Sequence, residues 1–309
     1  MIRSAALLLL ITACSSDYKV HANSDAEEGF EEEEEESVEE LEDDPLVLDT
    51  ADPEEEPEVD APVAMCEVTP DKVRPIVEGA TWLGRDSYDP THLDEDDGND
   101  LGLTYEWSLV YRPEGSDAEM PSGSLTVPDR ADFNTDLAGE YIGRLVVTNS
   151  EGVRSDPCEA TLDAEPAEAL WVEMFWENGG DDMDLHLLAP GGTIETETDC
   201  YYGNCTESDW EGGLDWGVAG DSIDDPILDL DDISETGPEN INIEIPQDGE
   251  YRVVVHDFPS SVYDAPNAVT INIYLDGVME WTETRMIDGE DSYTDFALIN
   301  TRTAEVTAL

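Results

Sequence analysis

Leu170-Trp171-Val172-Glu173-Met174-Phe175-Trp176, followed by Met183-Asp184-Leu185-His186-Leu187-Leu188, is the stretch that decides how this chain folds. Leu170, Val172, Met174 and Trp176 recur at every second position, which is the period of a strand packing one face on a core. The same period sets Met183, Leu185 and Leu187 on one face, with Asp182, Asp184 and His186 on the other. Working outward, Ile241-Ile243-Ile245, Tyr251-Val253-Val255, Val269-Ile271-Ile273-Leu275 and Met279-Trp281 continue the pattern downstream. Phe296-Ala297-Leu298-Ile299, in the ending Asp288 to Leu309, is expected to close the sheet. Upstream lie Trp82, Leu103-Tyr105-Trp107-Leu109, Tyr141-Gly143-Leu145-Val147 and Val153. These runs are short and separated by Gly, Pro, Asp and Asn, and no sustained 3.6-residue period competes with them. The expected fold class is therefore all-β, with two antiparallel β-sandwich domains at residues 61–165 and 169–309.

Charge is the main fact outside the strands. The chain carries a net charge of −67, and lysine occurs only at Lys19 and Lys72. Asp25 to Asp60 holds 21 acidic residues and no basic one, including the unbroken run Glu31 to Glu36. Such a segment repels itself and has almost nothing to bury, so residues 14–60 are expected to form a disordered acidic linker or stalk. Beyond residue 60 there remain 57 acids against ten lysines and arginines, so the folded part is acidic too. Nucleic acid is excluded as an expected partner, because phosphate binding depends on Lys and Arg. Strong self-repulsion suits a salty medium, where screening lengths are short.

At the amino terminus, Arg3 precedes an apolar run from Ala5 to Ala13, and Ile11-Thr12-Ala13-Cys14 sets small residues before a cysteine. This resembles a bacterial lipoprotein signal peptide (residues 1–13) with its lipobox. The resemblance implies lipidation of Cys14 and attachment to the membrane through a lipid anchor. The apolar run is shorter than the roughly 20 residues a spanning helix needs. An ordinary cleaved signal with an incidental cysteine is the rival reading. Ser15 and Ser16 lack an acidic retention residue, which by resemblance to Gram-negative sorting implies an outer-membrane lipoprotein, surface-exposed or periplasm-facing. An oxidising compartment also suits the four remaining cysteines. Cys200 and Cys205 flank a Tyr-Gly-Asn turn, which leaves Cys66 to pair with Cys158; a zinc site is the alternative, although no second C-x-x-C accompanies them.

Val77-Glu78-Gly79-Ala80, Arg85 to Pro90, Tyr105-Glu106-Trp107, Asp136 to Tyr141 and Leu145 to Ser150 follow the order and spacing of a PKD-type immunoglobulin-like domain, which residues 61–164 resemble. The insertion Asp94 to Asp100 and the Cys66–Cys158 pair depart from that pattern. The pair ties the first strand to the last, against unzipping under a pull on the stalk. In such a domain Trp107 fills the core in preference to stacking on a ligand. The second domain combines Asp-x-Asp-Leu-His-Leu-x-x-Pro-Gly-Gly, Asp-Cys-Tyr-Tyr-Gly-Asn-Cys, Leu-Asp-Leu-Asp-Asp, Gly-Pro-Glu-Asn-Ile and Gly-x-Tyr-x-Val-x-Val-His. It resembles uncharacterised exported β-sandwiches reminiscent of the jelly-roll pre-peptidase C-terminal modules of secreted proteases. That likeness implies a fold more than an activity.

Two acidic loops in this domain, around Asp182 and around Asp229, offer the oxygen ligands a hard cation requires. Calcium takes six to eight oxygens and tolerates irregular geometry. Asp182, Asp184, Asp229, Asp231 and Glu239 are the candidate calcium ligands, with solvated turns as the competing reading in so acidic a chain. His21, His92, His186 and His256 are the four histidines. His186 and His256 fall on strands of one domain, but no third zinc ligand is evident. No H-E-x-x-H, G-x-S-x-G or P-loop is present. The expected function is therefore not enzymatic: a cell-envelope lipoprotein displaying binding or adhesion modules for glycan, or for an envelope or matrix protein. The alternative is an accessory module or subunit of a secreted hydrolase, protease or glycosidase. Trp210 and Trp216 are candidates for a carbohydrate platform, with capping of the sandwich end preferred.

Overall fold

A computed structural model describes residues 61–91, 102–206, 213–233, 235–259, 261–263 and 265–309. The signal peptide, Cys14, the acidic linker, His21, the Asp94 to Asp100 insertion, His92 and Trp210 lie outside the described residues. Among the described residues there is no helix, and every element is a strand.

The amino-terminal half contains β1 (Glu67–Thr69), β2 (Lys72–Val73), β3 (Gly79–Leu83), β4 (Thr104–Tyr111), β5 (Arg130–Asn134), β6 (Gly139–Thr148) and β7 (Cys158–Ala164). They form two sheets, ordered β1-β3-β5 and β2-β7-β6-β4. All pairings are antiparallel except that of β2 with β7. Trp82, Phe133, Tyr141 and Leu162 are buried between the sheets. Gly143 makes room for this core: a Cβ there would stand 2.7 Å from the ring of Trp82. Trp107 packs against the same cluster, and its indole N–H donates to the carbonyl of Pro128 at 2.7 Å. The disulfide Cys66–Cys158 links the residue preceding β1 to the start of β7, so it joins the two sheets and ties the first strand to the last.

The second half contains β8 (Leu170–Trp176), β9 (Met183–Leu188), β10 (Asp199–Cys200), β11 (Ile227–Leu230), β12 (Glu239–Ile243), β13 (Glu250–Asp257), β14 (Asn267–Leu275), β15 (Val278–Ile287), β16 (Ser292–Asn300) and β17 (Glu305–Ala308). Two five-stranded antiparallel sheets result, β10-β9-β13-β16-β17 and β11-β12-β8-β14-β15. Their inner faces bury Leu170, Val172, Met174 and Trp176 against Met183, Leu185, Leu187, Val253, Val255 and Phe296, as the two-residue period dictates. Phe296 to Ile299 lie within the sheet and not at its border, because β17 adds a further edge strand beyond β16. The second disulfide, Cys200–Cys205, closes the loop after β10.

The outer face of β8 is not solvated. Trp171, Glu173 and Phe175, at the positions alternating with the core residues, are buried as well. Trp171 and Tyr274 pack with Ala138 and Ile76 of the first sandwich. The carboxylate of Glu173 accepts the backbone N–H of Ala138 at 2.6 Å and the indole N–H of Trp171 at 2.9 Å. The ion pair of Arg74 with Glu168, at 2.7 Å, adds a second tie near the junction.

Candidate metal centre

The second sandwich gathers its acids at a strand edge that β10 covers only in part. β9 pairs with β13 along its length, setting Leu185 opposite Val255 and Asp184 opposite His256. On its other side β10 covers only Leu187 and Leu188. The N–H of Leu185 is left without a strand partner, and an unpaired backbone donor in the interior is costly. Glu239, at the start of β12 and only 1% exposed, fills that role: its Oε2 accepts the N–H of Leu185 at 2.7 Å. Its Oε1 makes no hydrogen bond of regular geometry, although the Asp232 backbone and the Asp231 carboxyl both act on the Glu239 carboxyl.

That geometry sets Glu239 beside Asp184 and Asp231, each of the three offering a ligand oxygen within 4.8 Å of the others. Asp182 stands next to them. Its carboxyl is pushed up to about 7, first by burial and then by the charges of Asp184 and Asp231. Asp231 is raised by burial and by Asp184. Glu239 is raised well above the usual carboxylate range, again by burial first and Asp184 second. Crowded, partly buried carboxylates of this kind must either hold protons or share a cation. Oxygen-only donors from three chain segments match the preference of a hard divalent ion.

Asp229, the remaining candidate, is not brought into this cluster. β11 carries a register irregularity between Leu228 and Leu230 and ends there, so the alternation does not run on to Asp231. The carboxylate of Asp229 accepts from Asn242 Nδ2 at 2.8 Å and faces Arg74 Nη2 at 3.7 Å.

A second group adjoins the first on the outer face of the same sheet. Asp184, His186 and His256 offer ligand atoms mutually within 4.8 Å. Nδ1 of His186 lies 2.8 Å from Oδ2 of the buried Asp199, which also accepts the N–H of Glu195. His256 sits between Asp184 (Nδ1 to Oδ2, 3.3 Å) and Asp291 (Nε2 to Oδ1, 3.4 Å). Burial alone would lower His256, but hydrogen bonding to Asp184 and Asp291 outweighs it and leaves the ring raised. Tyr201 stacks on His186 at 5.0 Å between centroids, and Tyr293 stacks on His256 at 4.1 Å. The sequence placed the two histidines on strands of one domain but did not show that Asp184 lies beside both or that Asp199 faces His186. The only signal for Asp199 is its place beside Cys200, where the disulfide pins the loop.

Trp216 is buried, and its indole N–H donates to the carbonyl of Glu197 at 2.9 Å, so it caps the sandwich end and offers no exposed platform. No protein-family model matches this chain, and no curated protein matches it.

Proposed function

We propose that this chain is a non-catalytic, lipid-anchored envelope protein: Cys14 fixes it to the outer membrane, the acidic stalk spaces it, a PKD-like sandwich extends it, and a calcium-stabilised terminal sandwich binds glycan or an envelope or matrix protein. The observation that carries this reading is the convergence of Asp184, Asp231 and Glu239, with Asp182 adjacent and a buried oxygen on Glu239 that makes no hydrogen bond of regular geometry. Calcium there would neutralise the repulsion and fix the loops around the open edge of β9. Asp182, Asp184, Asp231 and Glu239 are the ligands, and waters complete the shell. The two disulfides support export to an oxidising compartment. The hydroxyl of Tyr141, which donates toward Leu137 O at 2.9 Å, supports the immunoglobulin-like reading, since such a tyrosine bonded back to the chain a few residues upstream recurs in those sandwiches.

The test combines fatty-acid labelling of cells expressing the wild type or Cys14→Ser with a soluble-glycan and matrix-protein binding screen in calcium or chelator. Label on the wild type alone, and ligand retention that requires calcium, are expected. Equal absence of label in both proteins, or binding indifferent to calcium, would overturn the anchoring or the cation part respectively.

A further inference from the structure

We infer that Asp184, His186 and His256 form a second cation site, selective for a borderline divalent metal of the zinc class. It shares Asp184 with the all-oxygen cluster, and its two histidine donors lie outside that cluster.

His186 is the best-defined of the three donors. The ring is only 1% exposed, on the polar face of β9, and its Nδ1 is held by Asp199 at 2.8 Å. A carboxylate facing one ring nitrogen keeps the proton there, so in the neutral ring Nε2 carries the lone pair. Nε2 has no hydrogen-bond partner. A buried base nitrogen with nothing to accept from is costly in an apolar setting. It is also the form of a metal-ligating histidine, whose other nitrogen is oriented by a carboxylate.

Cross-strand register supplies the other two donors. His256 stands opposite Asp184 in the β9–β13 ladder, and its contacts to Asp184 and Asp291, at 3.3 and 3.4 Å, are long for N–H···O hydrogen bonds. The three ligand atoms lie within 4.8 Å of one another. Donors on a tetrahedral zinc with bonds of about 2.0–2.1 Å stand about 3.3 Å apart, so small side-chain rotations close the set. Two imidazoles and one carboxylate suit a borderline metal and are a poor match for calcium. Tyr201 and Tyr293 stack on the two rings and limit their rotation. Three protein donors leave a fourth tetrahedral position, which a water would fill.

The test uses the full chain, stripped of metal, in excess magnesium and salt to suppress loose binding to the acidic surface. Zinc is titrated in competition with a chromophoric chelator, and cobalt(II) serves as a spectroscopic probe. The expected result is one equivalent of zinc, and an intense tetrahedral cobalt band that zinc displaces. His186→Gln and His256→Gln should each lose the band, Asp199→Asn should weaken zinc about 10–100-fold, and Asp231→Asn should leave zinc binding intact. Because Asp184 belongs to both ligand sets, the Asp231 and His186 variants separate the two sites. A calcium effect lost in Asp231→Asn but kept in His186→Gln, with zinc binding showing the reverse, supports two ligand sets that share Asp184. An octahedral, water-like cobalt spectrum in the wild type, which needs no variant to fold, would overturn it. So would undiminished zinc binding in the double histidine variant.

Discussion

Replacing Glu173 by glutamine should remove a pH dependence of stability and leave the fold intact. Glu173 is fully buried where the two sandwiches meet, with one oxygen accepting from Ala138 N and Trp171 Nε1. Burial pushes its carboxyl up from 4.5 to about 7, against the pull of hydrogen bonding from Ala138, Trp171, Asn272 and Tyr274. The folded chain thus holds this proton more tightly than the unfolded one. Its contribution is greatest below pH 4.5, falls as pH rises, and levels off above about 7. The shift corresponds to about 3 kcal/mol at most, at 1.36 kcal/mol per pH unit. Glutamine keeps an oxygen for both donors and carries no charge. In urea titrations from about pH 5 to pH 8, the wild type should lose up to about 3 kcal/mol relative to Glu173→Gln. Glu173→Ala strands two buried N–H groups and should cost about 2–5 kcal/mol at the acid end. A difference between wild type and Glu173→Gln that stays flat across this range would refute the reasoning, whatever the absolute stabilities.

The two disulfides should differ in weight. By chain entropy, removing Cys66–Cys158, with its sequence separation of 92, costs about 4–5 kcal/mol, whereas removing Cys200–Cys205, with a separation of 5, costs about 2 kcal/mol, as paired Cys→Ser variants in calorimetry would show. Tyr141→Phe deletes a buried hydroxyl bonded to Leu137 and Asp136 and should cost about 1–2 kcal/mol in the same assay. Asp229→Ala should leave any calcium response unchanged, because that carboxylate serves Asn242 and Arg74; a lost response would return it to the ligand set.

The period-two reading held along β9 and β13 but not at the start of β15, where Met279 is exposed. Met183, Leu185 and Leu187 face the core while Asp184 and His186 face away from it. Asp229 parts from Asp231 because β11 is irregular and stops at Leu230, so residues two apart there need not share a face. The burial of Glu173 was hidden for a different reason: alternation says which residues leave one core, but not that a second sandwich covers the opposite face. Aromatic Trp171 and Phe175 at outward positions were the available hint. The approach of His186 to His256 follows from the β9–β13 register, which no local spacing in the sequence encodes. Glu239 was found as an acid, but its role in closing the free N–H of Leu185 depends on β10 being only two residues long.

The central claim, that crowded carboxylates at the edge of β9 hold a hard cation, is tested most directly by thermal melts of the full chain in calcium, in magnesium and in excess chelator. A calcium-specific rise in Tm is expected, equivalent to about 2.7 kcal/mol at a hundredfold excess over Kd. It should be lost in Asp184→Ala and Glu239→Gln and kept in Asp229→Ala. Superimposable melts in all three conditions would contradict it and leave the acids as protonated or solvated groups.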